Sequence, residues 1–216
     1  MRASGGWRAA LHDALARGRA RPLGVSPRQR HAAVLVALVD EPGGVHIILH
    51  RRSRTLPHHA GQVAFPGGVV EAVDRDAAAA ARREAHEEVG LDPGTVEVLG
   101  TLADVRTPTG YVVTPVVGAV AGAVTLTPSD DEVEEIVRLP AAVLLDRARV
   151  RPVTKRVRGL LVTGDALIWN GHEIWGATAR MLLGLRRVLE RVDGPWRRAP
   201  EASAQRAATS RALRRS

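Results

Sequence analysis

The chain has 216 residues, 45% hydrophobic and 25% charged, which suits one globular domain of about 150 residues plus ends. It holds no cysteine, so disulfide scaffolds, Cys-ligated zinc, iron–sulfur centres and thiol nucleophiles are excluded, and no apolar run reaches the ~20 residues of a membrane helix. The net charge is +8, but residues 194–216 carry six arginines against one acid, so +5 of it belongs to the end of the chain and the body is only mildly basic.

Trp7, Ala10, Leu11, Ala14 and Leu15 recur at helical spacing, so residues 1–24 contain a short amphipathic helix. That segment is arginine-rich with Asp13 as its one acid. A docking helix before the first strand and an organellar transit peptide are both readings of it. Ala32–Val39 is an apolar run, Gly43-Gly44 a turn and Val45–His50 a second strand, together a hairpin. A Gly/Pro loop covers Ser53 to Gly68. A helix follows from about Asp76 to Val89, with Asp74 or Asp76 as its cap and Gly90 as its stop. Val96–Leu102, Val112–Val120, Thr125–Thr127 and Glu135–Leu139 are expected strands, and Pro140–Leu145 a short helix. Ala166–Trp169 and Glu173–Trp175 flank an Asn170-Gly171 turn, with both tryptophans expected in the core. Thr178–Val192 is the last helix, and Gly194-Pro195 is expected to end the fold. The chain thus divides into a lead-in (1–29), a domain (30–192) and a basic tail (193–216) expected to be disordered. The class is α+β or α/β with a mixed sheet.

The stretch from Gly67 to Leu91 carries the chemistry. Glu84, Glu87 and Glu88 lie at i, i+3 and i+4, so the three carboxylates share one helix face, beside a stripe of Ala78, Ala85 and Val89. Clustered carboxylates repel one another unless a cation sits among them. Oxygen-only ligands beside glycines favour Mg²⁺ or Mn²⁺ over zinc. Arg83, four residues before Glu87, is close enough to pair with it. Alone, such a face is most simply a solvated surface. The Pro-Gly-Gly turn before it and Gly90-Leu91 after it turn the reading toward a cation or phosphate site.

Arg83, Glu84, Ala85, Glu87, Glu88, Gly90 and Leu91, after the distant Gly67-Gly68, resemble the box of the Nudix hydrolases. Asp74 stands where that family usually has Glu, and eight residues rather than seven separate it from Arg83. Both features are shared by the coenzyme A pyrophosphatase-like branch. Its upstream motif is similar to Ile48–Gly68 here, through Arg52, Ser53, Leu56, His59, Gly61, Gln62 and Phe65 to Gly68. His50 replaces the usual Thr, and Pro57 stands where Arg is common. Thr107–Gly118 and Ile174–Leu182 also resemble this branch.

The resemblance implies an α/β/α sandwich, a mixed sheet between helices with a loop–helix–loop box. It implies a divalent metal, Mg²⁺ or Mn²⁺, held by the Gly68 carbonyl, Glu84, Glu87 and Glu88, with Arg83, Glu84 and Glu88 as the catalytic group. The implied reaction cleaves the diphosphate of coenzyme A or acyl-coenzyme A to 3′,5′-ADP and (acyl-)4′-phosphopantetheine. ADP-ribose, a dinucleotide or a nucleoside triphosphate are alternative substrates, and a non-catalytic Nudix-fold binding module is the remaining alternative. The general base is open among Glu84, Glu88, Glu132, Glu134 and Glu135. Arg52, His59 and Gln62 are candidates for substrate phosphate, although His58-His59 also reads as an exposed loop pair. Tyr111 reads as an adenine-stacking ring or as a capped core residue. A cytoplasmic setting, a small nucleotide substrate, a monomer or homodimer and no membrane partner are expected. Nucleic acid enters only as weak attraction to the tail.

Overall fold

The computed structural model describes residues 6–18, 22–41, 43–56, 59–157 and 159–197; His58 and the tail beyond Arg197 lie outside them. The scaffold is a mixed sheet around β1 (Arg30–Glu41). This strand is apolar on both sides because helices cover both. Its Ala33, Leu35, Ala37 and Val39 face one core cluster, and Ala32, Val36 and Leu38 the other. The hairpin partner β2 (Gly44–Arg52) runs antiparallel to it, with β3 (Val63–Ala64) beyond; β4 (Gly67–Val69) also pairs with β1. The eight-stranded sheet is completed by β5 (Val96–Thr101), β6 (Val105–Arg106), β7 (Tyr111–Ala121) and β8 (Val133–Pro140). β1 and β7 are parallel, which makes the sheet mixed.

One face carries α2 (Ala77–Val89), whose Ala80, Ala81, Ala85 and Val89 pack on Leu35, Ile48, Val116 and Val120. The small alanines let the helix lie close to the sheet. The other face carries α1 (Gly6–Arg17) and α3 (Gly176–Leu189), which bury Leu11, Leu15, Leu182, Leu185 and Leu189. Each such leucine contributes about 1.5–3 kcal/mol. A three-stranded antiparallel sheet of β9 (Val150–Val157), β10 (Leu160–Trp169) and β11 (His172–Ile174) precedes α3.

Several expectations need correction. Asp76, not Asp74, caps α2: its Oδ1 accepts the Ala79 N–H at 2.7 Å. Gly90 closes the helix in the left-handed region, φ 68°. Thr125–Thr127 is not a strand, because the N–H groups of Thr127 and Ser129 donate to the carbonyls of Val89 and Glu88, at 3.0 and 2.9 Å. The open end of the helix takes the donors that a sheet would have used. β9 escapes a hydrophobic pattern because it is an edge strand with Arg151, Pro152, Lys155 and Arg156. Trp169 and Trp175 are only half-buried. The buried aromatic pair is Trp7 and Trp196, edge-on at 5.4 Å, with Trp196 Nε1 donating to the Leu189 carbonyl at 3.2 Å. The fold therefore runs past Gly194-Pro195 through a short turn of helix, Pro195–Arg197. Among the described residues no helix is long and apolar enough to cross a membrane.

Candidate functional site

Strand alternation puts His50 and Arg52 on the α2 face of the sheet, in line with Ile48. Glu88, in the last turn of α2, points back at them and is 4% exposed. Its Oε2 accepts the backbone N–H of Gly67 at 2.9 Å and lies 3.6 Å from His50 Nε2. Its Oε1 lies 3.6 Å from Arg52 Nη1. Burial is the main reason its pKa is pushed up to about 8. The Gly67 N–H and Arg52 oppose the rise, and the charges of Glu84 and Glu132 add to it. His50 is fully buried, and neither ring nitrogen has a hydrogen-bond partner. Burial, then the Arg52 charge, pushes its pKa down to about 4, against the Phe65 backbone, which lies near the ring outside full hydrogen-bond geometry. Its replacement of Thr was legible in the sequence; its place behind Glu88 was not.

Glu84 lies one turn earlier against Gly68, where a Cβ would collide with the Glu84 carboxylate. Only a glycine allows backbone and carboxylate so close. Burial raises the Glu84 pKa against the pull of Arg83. Arg83 grips Asp74 with two hydrogen bonds, 3.1 and 3.0 Å, and its Nη1 bridges Glu84 at 3.0 Å and Glu87 at 3.2 Å. The hydrogen bonds from Arg83 hold the Asp74 carboxyl below its ordinary range. Asp74 thus ties the loop to the helix through Arg83, a role its sequence position did not reveal. Glu87 is the exposed member of the set.

The loop acids separate by face. Glu132 acts electrostatically on both Glu84 and Glu88, and its carbonyl accepts the Ser53 N–H at 2.8 Å. Glu134 lies by Arg54 at 3.4 Å. Glu135 shares the opposite face with Val137, held by Arg51 at 3.0 Å next to buried His172. It is not brought to the carboxylates. The loop after β2 closes over Arg52, whose carbonyl accepts the Gly61 N–H and whose N–H donates to the Gln62 carbonyl. His59 and Gln62 bond each other there, Nδ1 to Oε1 at 3.0 Å, and His59 is exposed. Tyr111 packs on the α1–α3 side, its ring 5.6 Å from the Arg30 guanidinium and its hydroxyl accepting from it at 3.3 Å. It too is turned away from Glu88.

As they stand, no three acidic or histidine groups among the described residues converge as a ready cage for a metal ion. Arg83 stands as the cation between Glu84 and Glu87. The donor chemistry nevertheless fits a hard dication. All the side-chain donors are carboxylate oxygens, two of them with raised pKa values, and the Gly68 backbone is pressed against Glu84. Glu87, half-exposed, is free to leave Arg83.

A NUDIX domain model matches residues 29–157. The uncharacterized Nudix hydrolase NudL of Cronobacter sakazakii is 43% identical over 163 residues, 73% of this chain and 81% of its own. NudL of Escherichia coli K12 is 42% identical over 159 residues, 71% and 79% of the two chains. In structure, the Nudix hydrolase RenU of M. smegmatis superposes with a TM-score of 0.54 at 22% identity, over 77% of this chain and 88% of its own. That likeness shows the same mixed sheet flanked by helices. The glycine turn and carboxylate helix lie inside the matched span, and the chain belongs to the Nudix family of hydrolases, which act on pyrophosphate bonds in small nucleotide substrates.

Proposed function

We propose that the chain is a divalent-metal-dependent diphosphatase of coenzyme A or acyl-coenzyme A. The observation that carries the reading is the closure of the Arg52–Gly68 segment onto the carboxylate helix: Arg52 and Gly67 both reach Glu88. That segment is the one whose motif resembles the coenzyme A-directed branch. Glu84, Glu87 and Glu88, with the Gly68 carbonyl, would hold Mg²⁺ or Mn²⁺. When bound, the ion neutralises charge on the non-bridging phosphate oxygens and lowers the pKa of water. Arg52, partly exposed beside Glu88, supplies a guanidinium for the diphosphate. Arg83, anchored by Asp74, orients Glu84 through its hydrogen bond. Water attacks one phosphorus, a P–O bond forms, and the bond to the bridging oxygen breaks. A carboxylate takes the proton of the water. The action of Glu132 on Glu84 and Glu88 supports it for that role over Glu135. His59 and Gln62, bonded to each other in the segment that pairs with Arg52, are the further candidates for contact with that substrate.

His50 and Pro57 depart from the coenzyme A-branch motif, which keeps ADP-ribose, a dinucleotide or a nucleoside triphosphate as the second reading. A substrate panel with Mg²⁺ and Mn²⁺, with products identified by mass spectrometry, separates them. Release of 3′,5′-ADP and 4′-phosphopantetheine from coenzyme A is expected. Faster cleavage of another nucleotide moves the assignment to that substrate, and no product from any member of the panel makes the chain a binding module.

A further inference from the structure

His50 is a buried imidazole that takes no part in the proposed hydrolysis. It lies in β2 two residues before Arg52, on the face that meets α2. Its accessible surface is 0%, so it touches neither solvent nor substrate. Neither Nδ1 nor Nε2 makes a hydrogen bond of full bonding geometry, and the Phe65 backbone is the one polar backbone group that bears on the ring. A buried polar ring left unsatisfied costs free energy, and such groups in folded proteins nearly always have a partner.

The side-chain oxygen facing the ring is Oε2 of Glu88, 3.6 Å from Nε2. That is too long for a hydrogen bond and short enough for a small rotation of the carboxylate to close. Oε2 already accepts the Gly67 N–H at 2.9 Å, and a carboxylate oxygen has room for a second donor. Arg52 stands at the other oxygen, Oε1, on the half-exposed side. The two oxygens of Glu88 are thus divided between an inner side, with Gly67 and His50, and an outer side, with Arg52.

We infer that His50 is a positioning residue whose Nε2–H donates to Oε2 of Glu88 and keeps Oε1 turned outward to the cleft. The inference rests on the cleft being a dication site. Groups that orient a metal-binding side chain from behind typically change metal affinity by about 10–100-fold when removed. Leucine in place of His50 keeps bulk and loses the donor. Glutamine puts an amide N–H close to the place of Nε2.

The test is a Mn²⁺ titration of the full chain, followed by electron paramagnetic resonance, on wild type, His50→Leu and His50→Gln. The Leu variant is expected to raise the Kd for Mn²⁺ about ten- to a hundredfold, and the Gln variant to recover most of that loss. An unchanged Kd in the Leu variant, or equal losses in both, overturns the inference. If the Leu variant does not fold, the wild type decides through its imidazole ¹⁵N signals during Mg²⁺ addition. With Mg²⁺ bound, an Nε2 signal at the shift of an N–H nitrogen supports the inference, and one at the shift of a bare ring nitrogen overturns it. A wild-type chain that binds no Mn²⁺ overturns the dication reading itself. Binding by wild type with no loss in the Leu variant overturns the role of His50 alone.

Discussion

Gly67 and Glu88 are 21 residues apart in the chain, and the backbone N–H of the first donates to Oε2 of the second at 2.9 Å. The bond holds a nearly buried carboxylate at the mouth of the glycine turn. Gln in place of Glu88 keeps an oxygen for that N–H and removes the charge. Glu88→Gln is therefore expected to fold normally and to lose most turnover at saturating Mg²⁺. Its Tm without metal should equal or exceed that of wild type, because burial and the neighbouring Glu84 and Glu132 disfavour the charged form. Near-wild-type kcat would remove Glu88 from the candidate ligands.

Two of the buried titrating groups, Glu88 and His50, shape the metal-free stability profile, and His172, also lowered by burial, adds to the His50 side. Glu88 is raised from 4.5 to about 8, so the native state binds more protons than the unfolded one between those values, and stability falls as pH rises through them. His50 is lowered from 6.5 to about 4, so the unfolded state binds more protons there, and stability rises with pH across that window. The slopes oppose each other between about 4.5 and 6.5, and Glu88 acts alone above 6.5. Urea midpoints should fall from 6.5 toward 8, and the fall should shrink in Glu88→Gln. A wild-type midpoint that climbs above pH 6.5 contradicts the assignment.

Arg52→Ala should raise KM for coenzyme A about ten- to a hundredfold, the value of one charged hydrogen bond of about 1.5–3 kcal/mol. On the proposed reading, the place of Arg52 beside Glu88 assigns it to the diphosphate and not to the remote 3′-phosphate. Coenzyme A and its 3′-dephospho form should therefore lose equally in steady-state assays. A loss confined to coenzyme A would assign Arg52 to the 3′-phosphate, and no loss on either would make it a surface charge.

Trp196→Ala should lower Tm and cost about 3–5 kcal/mol, the usual range for deleting a buried tryptophan. The ring is 1% exposed and meets Trp7 edge-on, so the change unlocks the chain end and α1 together. KM should not move, because both rings lie on the sheet face away from α2. Calorimetry and steady-state kinetics on the same sample check both halves.

Local pattern was enough for α2, its Gly90 stop, the apolar strands around β1 and the shared face of Glu84, Glu87 and Glu88. Each follows from a period of 3.6 or 2 residues and from a glycine that can take a positive φ. The glycine turn and the box also sufficed to suggest the family. Contacts between distant segments were out of reach of any such pattern. Arg83 takes Asp74 from nine residues away and occupies the space between two acids. A register shift between Arg51 and Arg52 and the alternation of β8 send Glu135 to the side of the sheet away from Glu88. Trp196, after a Gly-Pro that reads as a stop, is drawn in by the apolar surface of Trp7 and α3. Periodicity determines which side of an element is apolar, whereas pairing register and the desolvation of partners remote in sequence decide which charges meet across the cleft.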